Sequence, residues 1–219
     1  MMHSLGDPYL DIATWERRDA FEFFRGFDKP YFNVCVRLDV APLKRALSGV
    51  DGGITLACYF IALRLANAQR PFRLRLEGGR VRVHDMVHGS TTVLRKDGES
   101  FHFAYLELAK DFKTFVVMAR ERVREARNAD ARFEPRPDEQ ALIHFTSLPW
   151  MHFTSFSHAR NWGREDSIPK LAFGRIDVDG ARHWMPFAVE VHHALMDGVH
   201  VGRFVQAFED ALREPSRLI

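Results

Sequence analysis

Groups able to move a proton are packed most densely in Val191-His192-His193-Ala194-Leu195-Met196-Asp197-Gly198-Val199-His200. The run Trp184 to Val191 leads into it and alternates in the manner of a strand. Beyond Gly198, the apolar residues Val201, Phe204, Val205, Phe208 and Leu212 fall at helical spacing. A histidine pair therefore sits where a strand gives way to a turn closed by Asp197-Gly198. There a rigid strand aims the side chain and the turn leaves it open to a substrate. Three chemistries fit the spacing. His193 is a structural histidine with Asp197 capping the next helix; or His192, His193 and Asp197 belong to a metal site; or His193 is a general base. The metal site lacks a further cluster of candidate ligands elsewhere in the chain. A general base must be oriented, and neutral near pH 7. No serine or cysteine stands in a nucleophile elbow. Attack by a substrate hydroxyl that His193 deprotonates is thus simpler than a covalent enzyme intermediate. Such an attack on a thioester needs a donor for the developing oxyanion, and the hydroxyls of Thr146 and Ser147 are candidates.

The elements that must position these groups can be read in chain order. Asp11 to Phe24 predicts one amphipathic helix ending in the aromatic cluster Phe21, Phe23 and Phe24, broken by Gly26 and Pro30. Tyr31 to Leu38 predicts a strand, and Val40-Ala41-Pro42 a helix start with proline in the first turn. Thr55 to Ala68 predicts a buried helix. Phe72 to Leu76 and Val81 to Val83 predict a hairpin around Gly78-Gly79. Thr91 to Leu94 pairs with Ser100 to Leu106, and Phe112 to Ala129 predicts a long helix with charged i,i+4 neighbours. A proline-rich loop, Glu134 to Asp138, precedes a strand at Leu142 to Thr146, and Ser147 to Trp150 turns the chain. Ser157 to Ser167 reads as a loop, followed by strands near Leu171 to Val178 and Trp184 to Val191. With no internal repeat and no low-complexity linker, residues 1–219 are expected to form a single α/β domain, a two-layer sandwich of a mixed sheet covered by helices.

Bulk properties narrow the partners. Charge is nearly balanced, 31 Lys and Arg against 29 Asp and Glu, with no dense basic block, which argues against nucleic acid. Cys35 and Cys58 lack metal-ligand spacing and are expected to be free thiols. The amino terminus lacks an apolar signal core, and the longest apolar run, Ile54 to Leu63, is too short to cross a bilayer. A cytoplasmic protein without membrane contact is the expectation.

The stretch His192 to His200 resembles the His-His-x-x-x-Asp-Gly signature of type A chloramphenicol acetyltransferases, a signature shared with dihydrolipoyl acyltransferases and peptide-synthetase condensation domains. Trp15-Glu16-Arg17-Arg18 with Phe21 to Phe24, Ser147 to Trp150 with Phe153 to Phe156, and Gly198 to Phe204 narrow the resemblance to the chloramphenicol acetyltransferase family, in matching order along almost the whole chain. The resemblance implies a homotrimer with active sites between subunits and acetyl-CoA as donor, with no metal. It implies acetyl transfer to the primary hydroxyl of chloramphenicol, and leaves as alternatives the same chemistry on another small alcohol or amine, or a relative that binds CoA or a small ligand without useful turnover. His193 is then the base, and Asp197 a structural aspartate paired with Arg17. Losing one member of such a buried pair costs about 3–5 kcal/mol. Thr146 takes the place of the family's oxyanion-binding serine. Phe23, Thr92, Phe101 and Phe156 agree with the acceptor pocket. Phe24 replaces a tyrosine, His144 and His158 replace asparagine and leucine, and Lys170 falls near a threonine of the active-site wall. Lys170 and Arg175 are candidates to meet CoA phosphates, with a solvated surface charge the favoured reading for Arg175.

Overall fold

The computed structural model describes residues 7–129, 136, 139–160 and 165–219. Most of the predicted loop Glu134 to Asp138, and residues 161–164 of the loop Ser157 to Ser167, lie outside the described residues.

The expected helix from Asp11 to Phe24 is two pieces. Asp11 accepts from the Ala13 amide and closes a 3-10 turn at Ile12–Thr14, the chain is extended at Trp15, and helix α1 runs only over Arg18–Phe24. The side chain of Asp11 competes for the backbone amides and stops the helix from running through. Strand β1 (Tyr31–Asp39), helix α2 (Ala41–Ala46) and helix α3 (Gly53–Ala68) follow as the patterns predict. Leu74–Glu77 (β2) and Arg80–Val83 (β3) form a separate two-stranded sheet, turned by Gly78 and Gly79 at φ of 57° and 74°, a conformation that favours glycine. Then come β4 (His88–Leu94), β5 (Phe101–Leu106), α4 (Phe112–Asn128), β6 (Leu142–Leu148), β7 (Lys170–Gly174), β8 (Asp177–Asp179), β9 (Arg182–His192) and α5 (Gly198–Arg213). The single strand expected over Leu171 to Val178 is thus divided into β7 and β8, and Ser147 and Leu148 belong to β6 rather than to a turn.

The main sheet has seven strands in the order β1-β9-β7-β6-β4-β5, with β8 added against β9. The β4–β6 and β6–β7 pairs are parallel and the others antiparallel, a mixed α/β sheet as the sequence predicts. Because side chains alternate across a strand, its two faces carry different chemistry. Phe145, Phe173 and Phe187 share one face and meet the helices: Tyr59 of α3 stacks on Phe145 at 4.4 Å, and Phe208 of α5 lies 5.1 Å from Phe187. Replacing such a buried phenylalanine by alanine costs about 3–5 kcal/mol.

The opposite face carries two rows read from the strand registers. One is Asn33, Glu190, Lys170, His144, Ser90 and Tyr105; the other is Cys35, Ala188, Ala172, Thr146, Thr92 and Phe103. Among the described residues no helix covers these rows. Instead the chain from Pro149 to Arg160 crosses over β7 and β9. Gly174 makes room for it, since a Cβ there would lie 3.0 Å from the Phe153 ring. This is why β9, although charged at Glu190, is buried on both faces.

Candidate active site

The turn at 193–197 is held from several sides. Leu195 N and Met196 N both donate to His192 O, at 3.0 and 3.1 Å, and Ala194, Leu195 and Met196 are fully buried. His193 N donates to Pro30 O at 2.7 Å, tying the turn to the start of β1. Helix α5 begins only at Gly198, so His193 and Asp197 face each other across a tight turn and not along one helix. Asp197 is the N-cap, and its own amide donates to His200 Nδ1 at 2.9 Å.

His193 Nδ1 lies 3.2 Å from Asp197 Oδ1, without hydrogen-bond alignment. A carboxylate on that side favours the Nδ1–H tautomer and leaves the lone pair on Nε2, the nitrogen a base uses. Arg17 holds both ends of the turn: one nitrogen pairs with Asp197 Oδ2, and Nη2 donates to His193 O at 3.1 Å. The Asp197 side chain is 36% exposed and that of Arg17 13%, so the pair is half open rather than buried. That corrects the expected cost of breaking it, from that of a buried pair toward the 1 kcal/mol or so of an exposed one. Burial lowers the Arg17 pKa from its ordinary value.

Phe24, expected in the acceptor pocket, lies flat on the His193 imidazole, 3.8 Å between centroids and 8° between planes. Phe32 of β1 presses on the same ring at 4.7 Å. Sequence reasoning missed Phe32. Its signal was the register, since Phe32 is one residue beyond the strand position paired with His192. His192 itself is buried and turned inward. Its Nδ1 accepts from Ala194 N at 3.2 Å, and burial, then Arg160, lowers its pKa to about 4. Among the described residues no group of three or more His, Cys, Asp or Glu is arranged to hold a metal ion.

The remaining predicted residues lie elsewhere. Thr146 and Ser147 fall on opposite faces of β6. Ser147 is turned to the helix side, where it bonds the Tyr59 hydroxyl, and Thr146 to the uncovered side. Thr146 Oγ1 is 3.3 Å from His158 Nε2. Phe156 meets the His158 ring edge-on at 4.7 Å. Thr92 is exposed in the same row as Thr146, and Phe101, at the start of edge strand β5, is 44% exposed. Phe23 is 63% exposed and packs against the rings of Phe24 and Phe27.

Lys170 departs from expectation. It is 7% exposed, and its Nζ donates to Asp166 Oδ2 at 2.9 Å and Ala159 O at 3.1 Å. It is therefore not free to meet a phosphate. It belongs to an ion cluster that the sequence reading missed. Arg160 donates from Nε to Glu190 Oε1 at 2.7 Å and from Nη1 to Asp166 Oδ1 at 3.0 Å, with its guanidinium 4.3 Å over the Tyr31 ring. Burial works against the Glu190 charge, but His158 and Arg160 hold its pKa down to about 2. His144, beside Lys170, is kept neutral by burial and then by that lysine, with a pKa of about 3. The available signal was Glu190 itself, a lone acid in an apolar strand that must find a partner. A small cavity of about 120 Å³ opens beside Ser147, Thr55 and Arg175.

An imidazole facing a carboxylate, at the end of a strand in this mixed α/β sandwich, is the plan of an acyltransferase. The family model for chloramphenicol acetyltransferase matches residues 8–209, and the chain belongs to that family. It is 28% identical over 206 residues to a chloramphenicol acetyltransferase of Escherichia coli, covering 93% of each chain. A solved chloramphenicol acetyltransferase superposes with a TM-score of 0.81 at 25% identity, covering 93% of this chain and 98% of the other. The dihydrolipoamide acetyltransferase of Azotobacter vinelandii shares the fold, with a TM-score of 0.68 at 16% identity over 90% of this chain and 86% of that one.

Proposed function

We propose that the protein transfers an acetyl group from acetyl-CoA to the primary hydroxyl of chloramphenicol, with His193 as general base. The observation that carries this reading is the His193 ring clamped by Phe24 and Phe32 with Nδ1 facing Asp197. The acceptor hydroxyl gives its proton to His193 Nε2 as its oxygen bonds the thioester carbonyl carbon. Thr146 Oγ1 donates to the resulting oxyanion. The C–S bond then breaks, and the thiolate sulfur takes the proton back from His193 as CoA thiol.

His193 and Thr146 come from different protomers in this reading. Thr146 shares a row with Ala188, so His193 lies about 16 Å further along β9, and β6 lies about 10 Å across from it. A single chain is too wide for both to reach one carbonyl. The homotrimer with sites between subunits meets that requirement, and exposed Phe23, Phe27, Trp150 and Met151 supply apolar surface for it. A cytoplasmic location, beside the acetyl-CoA pool, belongs to the same reading.

A second acceptor, another small alcohol or an amine, is favoured by one observation. His144, and His158 of the crossing segment, both stand on the sheet face away from the helices, and Phe24 lacks the hydroxyl of the tyrosine it replaces. CoA release from acetyl-CoA, with chloramphenicol and then a panel of alcohols and amines, tests both, beside a His193→Ala control. Release that needs chloramphenicol and His193 supports the first reading. Release with another acceptor only moves the assignment to that acceptor, and release untouched by His193→Ala removes the base.

A further inference from the structure

The crossing segment brings His158 between a hydroxyl and a carboxylate. Its Nε2 is 3.3 Å from Thr146 Oγ1, and its Nδ1 is 3.8 Å from Glu190 Oε2. The His158 main-chain N–H donates to the same Glu190 oxygen at 3.1 Å, while Arg160 anchors the other at 2.7 Å. Phe156 fixes the ring plane from the side.

The protons follow from these distances. A carboxylate on the Nδ1 side favours Nδ1–H in the neutral ring, which leaves a lone pair on Nε2. The only hydrogen then available to the His158–Thr146 contact is that of the hydroxyl, and it points at the histidine. When Nε2 also carries a proton, it donates to Oγ1, and the Thr146 hydrogen must turn elsewhere. Threonine has few χ1 choices, so its oxygen stays put while its hydrogen swings.

We propose that His158 is a positioning residue for the Thr146 hydroxyl: the neutral ring draws the hydroxyl proton away from the substrate, and the cationic ring releases it toward the developing oxyanion. This rests on the acetyl-transfer reading above. The charges around the ring allow it. Glu190 on β9 and Asp166 are balanced by Arg160 and by Lys170 on β7, and His144 on β6 is held neutral, so a cationic His158 adds one charge to a cluster whose fixed charges cancel.

The consequence is a loss of rate at alkaline pH that belongs to His158, opposite in sense to the acid-side loss that any histidine base causes. Its depth is bounded by the removal of one oxyanion donor, about 10²–10³-fold. The test is kcat for acetyl transfer across about pH 5–9 in wild type, His158→Leu and His158→Gln. The glutamine variant supplies an N–H that does not titrate. Wild type should lose rate on the alkaline side, and neither variant should. A wild type without that loss, or a leucine variant that keeps it, overturns the proposal.

Nitrogen-15 spectra of the imidazoles test the pairing without turnover. A neutral Nδ1–H tautomer whose Nε2 signal moves in Thr146→Val supports the arrangement, and an Nε2–H tautomer overturns it. If no acceptor is turned over, the acetyl-transfer reading fails, and these spectra still decide the hydrogen bond.

Discussion

Among the described histidines that face carboxylates through Nδ1, of which His152 beside Asp177 is a third, His193 and His158 have far nitrogens with opposite fates. His193 follows a strand, is clamped between Phe24 and Phe32, and has no hydroxyl or carboxylate on Nε2 among the described residues. His158 rides on an irregular segment, and its Nε2 is occupied by Thr146. The same imidazole–carboxylate unit is suited to accept a substrate proton in one place and to direct a neighbouring hydroxyl in the other. In the proposed reading, what lies on the far nitrogen decides the role.

The largest effect that separates the two is expected from His193→Ala. It should lower kcat by about 10²–10⁴ and leave the melting temperature unchanged. A larger fall in kcat from His158→Leu than from His193→Ala would reverse the assignment. Next comes Thr146→Val, expected to lower kcat by about 10²–10³ with little change in KM for acetyl-CoA; an unaltered kcat would leave His158 with nothing to direct. Arg17→Ala should lower stability by about 1 kcal/mol, because Asp197 is half open, and lower activity as the turn loosens. A loss near that of a fully buried pair, in thermal denaturation, would mean that the turn is covered in the assembly. Phe24→Tyr should be the mildest, changing KM for the acceptor a few-fold and stability by less than about 1.5 kcal/mol.

Acid stability bears on the same contrast. Burial holds His84 and His192 down to about 4 and His144 to about 3, from 6.5, and Glu190 sits at about 2, from 4.5. All four are lowered in the fold. From 6.5 downward the unfolded chain takes up protons that the folded histidines refuse, so stability falls with pH toward about 4. The Glu190 contribution, present above 4.5, is lost as pH falls through about 2. Melting temperatures measured at descending pH should drop from about pH 6.5; a flat curve down to pH 4 would show that these histidines are not buried neutral.

The His193 end was legible in the sequence because it is local. Strand alternation, Asp-Gly and the helical spacing after Gly198 place the turn within a dozen residues, and the Arg17 stretch carries a recognisable pattern. The Asp11 to Phe24 helix was misjudged because a side-chain cap at Asp11 outweighed periodicity. The Lys170 environment was not legible. Asp166, Arg160 and Glu190 come together only once β7 and β9 are paired and the crossing segment is laid over them, and no spacing in the chain encodes that. Pairing of Thr146 with His158 was hidden for the same reason, although both residues were singled out.

The alternation within β6 has an evolutionary consequence. Ile143 and Phe145 face the helices and hold the fold together, while His144 and Thr146, their immediate neighbours, face the other way. In the proposed reading, a point substitution at His144 or Thr146 can therefore retune which molecule the protein handles without disturbing the phenylalanine packing one residue away. Insertion or deletion of a single residue in this strand would exchange the two sets and lose both at once. Drift in this lineage is accordingly open to substitution along the strand and closed to changes in its length.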